Sequence, residues 1–185
     1  MPTFIALLRG VNVGKAKRVP MAELRTLLAA LGFTDVATLL NSGNAVFRAP
    51  KSTPAKHAGD IAAAIASTLA VEVPVIVKSA DELAAIVAAN PLIKDAPDPS
   101  RLLVAFVQDM KALPGLAAVG ALTVPPEQFV VGKSAAYLHC PRGILQSKAG
   151  EALLGKAGKA ATTRNWATVL KLQALADEVG AKLAK

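Results

Sequence analysis

Residues 4–8 (FIALL) form an unbroken apolar run of strand length, closed by Arg9 and Gly10. After a polar, glycine-containing loop, Leu24, Leu27, Leu28 and Leu31 recur at the i, i+3, i+4, i+7 spacing of an amphipathic helix, with Pro20 suited to its first position and Gly32 to its stop. Two short runs, 36–40 and 45–48, flank Asn41-Ser42-Gly43-Asn44, a turn sequence of the length that joins antiparallel strands. A helix over 54–69 and a strand over 73–77 complete an order βαββαβ. Ser79-Ala80-Asp81-Glu82 is a capping box, and it opens a helix carrying Leu83, Ile86 and Val87 that ends before Pro91. Beyond a proline-rich connection the pattern predicts a strand over 102–107, a helix near 114–120, strands over 128–131 and 135–140 turning at Gly132-Lys133-Ser134, and a last helix over about 164–179. The second half thus reads βαββα.

This repetition predicts an α+β fold of two tandem ferredoxin-like lobes with antiparallel sheets, the first over 1–78, a linking helix and connection over 79–100, and the second over 101–185. With 53% hydrophobic residues in 185, the chain can bury a core, yet no apolar run approaches the roughly 18 residues of a membrane span. Cys140 is the single cysteine, so no disulfide framework exists, and with no signal-peptide pattern the expectation is a cytoplasmic protein. Two histidines and one cysteine, far apart, offer no metal-ligand spacing, and nothing points to a cofactor.

Charge changes the picture. The net charge is +8, and residues 9–18 hold four basic side chains and no acid, while residues 133–171 hold seven against Glu151 alone. Positive charge confined to two distant segments predicts one anion-binding face between the lobes. Gly10-Val11-Asn12-Val13-Gly14-Lys15 follows a strand and precedes a helix, but it lacks the four-residue glycine spacing and the Ser or Thr after lysine that a phosphate-binding P-loop needs. A looser anion loop remains, with Arg9 and Lys15 supplying charge. Thr162-Thr163-Arg164-Asn165-Trp166 reads as the start of the last helix, where an arginine meets the positive end of the helix dipole unless an anion compensates. Trp166 suits a core anchor. The segment 143–159, rich in Gly, Ala and Lys, reads as mobile, with Lys148 able to close over a bound anion. His139 and Cys140 sit on opposite faces of a strand, which argues against a nucleophile–base pair and for a buried structural cysteine; His57 is expected on a helix surface.

The blocks ALLRGVNVGKAKRVPMAELRTLLAALGFTDVATLLNSGNAVF, VPVIVKSADEL, AAYLHCPRGILQSK and ATTRNWATVLKL together resemble the bacterial family catalogued as domain of unknown function 1697. The resemblance implies a two-lobed α+β fold with ferredoxin-like halves and no established activity. The chain departs from the family pattern at Val11, where isoleucine is usual, at Lys15, where a second glycine is usual, and at Gln146.

The expected function is recognition of a small phosphate- or carboxylate-bearing ligand by Arg9, Asn12, Lys15, Lys148, Thr163, Arg164 and Asn165. Catalysis is left open: no histidine or carboxylate pair is placed as an evident general base, and charge stabilisation by Arg9 and Arg164 is the one contribution on offer. Two other classes stay open, a weakly sequence-specific nucleic-acid binder and a protein-interaction module docking an acidic partner. Seven aromatics, of which only Phe4 and Phe47 fall on candidate sheet strands, are few for stacking bases.

Overall fold

A computed structural model describes residues 1–182. The fold is mixed α and β, with two four-stranded antiparallel sheets and six helices among the described residues. The chain divides into two compact units, Met1–Leu83 with the residues from Leu172 onward, and Ala84–Lys171.

In the first unit β1 (Thr3–Leu8), α1 (Met21–Ala30), β2 (Thr34–Thr38), β3 (Asn44–Arg48), α2 (Pro54–Leu69) and β4 (Val75–Ser79) build a sheet of order β2-β3-β1-β4. The central strand β1 is buried on both faces, which is why its sequence is continuously apolar rather than alternating. Leu24, Leu27 and Leu28 turn α1 into the core. Its end is a Schellman motif: Gly32, at φ +84°, donates to the Ala29 carbonyl, and Phe33 donates to that of Leu28. In α2 the Thr53 hydroxyl caps Lys56 N–H, Pro54 occupies the first turn, and His57, Ala58, Ile61 and Ile65 face inward. His57 is therefore not a surface residue. It is only 4% exposed, packs edge-on to Phe4, Phe33 and Phe47, and meets the Pro50 carbonyl at 3.2 Å through Nε2. The capping box closes as its residues require, with Ser79 N–H on Glu82 Oε2 at 2.8 Å and Glu82 N–H on Ser79 Oγ at 3.1 Å, opening α3 (Ala80–Ala88).

The second unit comprises β5 (Leu102–Val107), the short α4 (Ala117–Gly120), β6 (Gln128–Val131), β7 (Ala136–His139), α5 (Lys148–Leu154), β8 (Ala161–Asn165) and the start of α6 (Trp166–Ala181). Its sheet order is β6-β7-β5-β8. The stretch 143–159, expected to be mobile, carries a helix that was not expected, α5, capped by Ser147 Oγ on Gly150 N–H at 3.0 Å. Residues 161–165 do not begin the last helix; they form β8, paired antiparallel with β5 from Val107↔Ala161 to Leu103↔Asn165. Two adjacent β-branched threonines favour the extended chain, and the cap falls to Asn165, whose Oδ1 accepts Thr168 N–H at 2.9 Å.

With β8 in place the two sheets share a register. Ile5, third in β1, faces Lys78 in β4, and Val104, third in β5, faces Arg164 in β8. Thr3 and Leu102, first in those strands, face Arg48 and His139. Lys78 and Arg164 each precede by one residue the cap of the following helix, Ser79 or Asn165. Each sheet thus places a buried basic side chain at matching positions, on the face away from its apolar cluster.

Candidate functional site

The residues expected to share one face fall in different units, Arg9, Asn12 and Lys15 in the first and Lys148 and Thr163 to Asn165 in the second.

The loop between β1 and α1 is pinned at both ends by Val11 and Val19, which are buried in the first core cluster, while residues 13–18 are exposed. Between these anchors Asn12 is a clamp. Its Nδ2 donates to the carbonyls of Val19 (2.9 Å) and Asn41 (2.6 Å), and its Oδ1 accepts Val19 N–H at 2.9 Å. The backbone N–H of Asn12 adds a bond to the Lys17 carbonyl at 3.1 Å. Asn12 was expected to contact ligand; its side-chain amide is instead committed to backbone, and it shapes the loop.

Positive φ at Gly10, Asn12, Gly14 and Lys17 is interspersed with negative φ at Val11 and Val13, the alternation of hand on which anion-binding backbone turns depend. The backbone N–H groups of residues 13–18 donate no hydrogen bond among the described residues. Asn12, Gly14, Arg18, Pro20 and Asn41 line a cavity of about 300 Å³. Arg18 is the member of this site that the sequence reading left unnamed, although it closes the same basic run. Lys15 is exposed on the loop, and Arg9 is half-buried, its guanidinium pushed down from the ordinary arginine range by burial. The neighbouring turn is made as its sequence implies: Asn44 Nδ2 donates to the Leu39 carbonyl at 2.8 Å and to Ser42 Oγ at 2.9 Å. Gly43 sits at φ +86°, where a Cβ would come within 2.7 Å of both Leu8 Cβ and Val11 Cγ2.

In the second unit the helix-start reading of Arg164 fails, because Arg164 lies in β8 and is not in a first helical turn. It is buried, donating to Thr162 Oγ1 at 2.9 Å and to the Thr163 carbonyl at 2.8 Å, and burial pushes its guanidinium down to about 10. Strand alternation points the Thr163 and Asn165 side chains to the face opposite Arg164, so the three do not converge on one ligand. Lys148 is exposed in the first turn of α5 and shares a cavity of about 160 Å³ with Glu127, Arg142 and Gln146. Cys140 is buried in the second core cluster and its thiol is pushed up by burial, in keeping with a structural role. Among the described residues no group of three or more His, Cys, Asp or Glu could hold a metal ion. Among the described residues no helix is long and apolar enough to cross a membrane.

This arrangement of sheets and loops belongs to a family. The chain is a member of the family described as protein of unknown function (DUF1697), whose model matches residues 1–137. The matched range contains the whole β1–α1 loop and ends before the ATTRNWATVLKL block at 161–172. Among solved structures, the conserved bacterial protein SP0830 from Streptococcus pneumoniae is similar over 95% of this chain and 98% of its own, with a TM-score of 0.79 and 24% identity, a likeness of fold. No functionally curated protein matches the chain.

Proposed function

We propose that this protein recognises a small anion, phosphate- or carboxylate-bearing, at the β1–α1 loop of its first unit. The observation that carries the reading is the run of backbone N–H groups at 13–18 without partners among the described residues, on a loop held in shape by Asn12 and edged by Lys15 and Arg18. Oriented amides with nearby cations bind anions without any catalytic group. Arg9 adds charge at the loop's origin. Lys148 and Arg164, expected to act with it, stand outside this proposal, Arg164 because its buried hydrogen bonds already give it a structural task. We also read each unit as a ferredoxin-like sandwich; the common strand order and register of the two sheets support this.

The test is a thermal-shift and calorimetric screen with inorganic phosphate, sugar phosphates and di- and tricarboxylates. Arg18→Ala and Lys15→Ala, both at exposed positions, should abolish the response while leaving the unliganded melting temperature unchanged. A response that both variants retain in full removes the loop from consideration. Nucleic acid is disfavoured as the ligand because Phe4, Phe33, Phe47, Phe106, Tyr137 and Trp166 are buried, and Phe129 packs on the second core, leaving no ring for base stacking. Tight binding of single-stranded RNA that persists at physiological salt would reverse that preference.

A further inference from the structure

The second unit contains another cavity, of about 490 Å³, which adjoins the one beside Lys148 through Pro126 and Pro141 but has none of the expected ligand contacts in its wall. Its wall includes His139, Arg101, Asp98 and Asp95, with Pro126 and Pro141 as rigid apolar surface. His139 is only 7% exposed, yet its ring has no hydrogen-bond partner among the described residues. The ring nitrogens of His139 are not sealed in protein and open on the cavity, so this otherwise buried imidazole offers its hydrogen-bonding capacity to whatever occupies it. Its placement follows from the sheet: His139 ends β7 opposite Leu102, on the face away from the core that takes Leu138 and Cys140.

The other charges say what the cavity would accept. Arg101 is held through Nε by Asp98 Oδ2 at 3.6 Å, and Asp98 is held in turn by Ser100, whose N–H and hydroxyl both donate to Oδ1. The guanidinium lies against Gly143, where a Cβ would sit among its atoms, so a glycine at φ +102° gives Arg101 its place. A planar guanidinium with terminal nitrogens to spare suits a carboxylate. The exposed Asp95 carboxylate has no hydrogen-bond or ion-pair partner among the described residues, which suits an ammonium. Two carboxylates against one arginine make the cavity a poor host for phosphate or a polyanion. An imidazole ring presents two nitrogens and can serve either end of a ligand.

We infer that this cavity is a binding site for a compact zwitterion, a free α-amino acid, with its carboxylate on Arg101, its ammonium on Asp95 and a hydrogen bond to His139. The chain has only two histidines, and His57 sits among phenylalanines in the other unit, so it serves as an internal reference.

The experiment is a ¹H–¹³C spectrum of the full-length protein with labelled histidine, titrated with the common amino acids and, separately, with acetate, methylammonium and inorganic phosphate. At least one amino acid should move the His139 signal to saturation while His57 stays in place, binding at least about tenfold tighter than any of the three fragments. Asp95→Asn, at an exposed position, and Arg101→Lys should each weaken that amino acid about tenfold or more, with the fluorescence of Trp166, buried in the same unit, confirming that the fold there is intact. The inference is overturned if no amino acid shifts His139 up to about 10 mM, if phosphate or acetate binds as tightly as the best amino acid, or if Asp95→Asn leaves the affinity unchanged.

Discussion

Replacing Asn12 tests whether one side chain organises the β1–α1 loop. Asn12→Ala removes three side-chain hydrogen bonds, at 2.9, 2.6 and 2.9 Å, and leaves the N–H of buried Val19 without its acceptor. At a net worth of about 1 kcal/mol each, the lost bonds cost about 2–3 kcal/mol. Asn12 also sits at φ +57°, where alanine is worse than asparagine by about 1 kcal/mol, bringing the total to about 3–4 kcal/mol. Asn12→Gly loses the same bonds without the left-handed penalty, so it should fall about 1 kcal/mol short of the alanine variant. Native-state hydrogen exchange reads the effect where it arises. Protection of the Val19 amide should drop by about two orders of magnitude in Asn12→Ala, and urea unfolding should rank wild type above glycine above alanine. If Val19 keeps its protection within about twofold, or if glycine is the worse substitution, the clamp is not what holds this loop.

Gly43→Ala combines overpacking against Leu8 and Val11 with a left-handed φ and should destabilise by about 2–4 kcal/mol, measured by urea unfolding. Asn165→Ala, which removes the cap of α6, should cost about 1 kcal/mol, and Ser79→Ala a similar amount at α3; differential scanning calorimetry would show both. Burial raises the Tyr137 hydroxyl to about 12, while it donates to the Ile86 carbonyl at 2.7 Å. Between its ordinary value of 10 and about 12 the folded state holds a proton that the unfolded state gives up, so this contribution is whole below pH 10 and lost as pH rises through 12. Arg164, lowered to about 10, acts with the opposite sign at alkaline pH, so the measurement is the difference between wild type and Tyr137→Phe: only wild type should carry the tyrosine's loss of stability above pH 10.

Helix α2 and strands β5 and β6 lie at the limits their patterns predict, 54–69, 102–107 and 128–131, and the Ser79–Glu82 box closes as its spacing requires. These features depend on contacts a few residues apart, or on an apolar run long enough to specify burial by itself. Strand β8 was hidden because its residues ATTRN have no apolar alternation, and what makes them a strand is pairing with β5, nearly sixty residues earlier. The same holds for the candidate sites. The basic loop and its glycines were visible as composition, but the role of Asn12 depends on a carbonyl 29 residues away at Asn41. His139 was dismissed with Cys140 on strand alternation, a correct argument about a nucleophile pair that says nothing of the cavity on the other face.

By itself, then, the sequence determined the α+β class, most of the elements, the order of the first six and the segments carrying positive charge, because periodicity, caps and turn residues act over one or two turns of chain. Tertiary structure alone decided that Arg164 is a buried strand residue, that Asn12 is spent on backbone, that His57 lies under three phenylalanines and that His139 faces open space. The physical reason is that a polar side chain's role is set by which groups satisfy it and how much water it keeps, and both are properties of neighbours that strand pairing brings in from elsewhere in the chain.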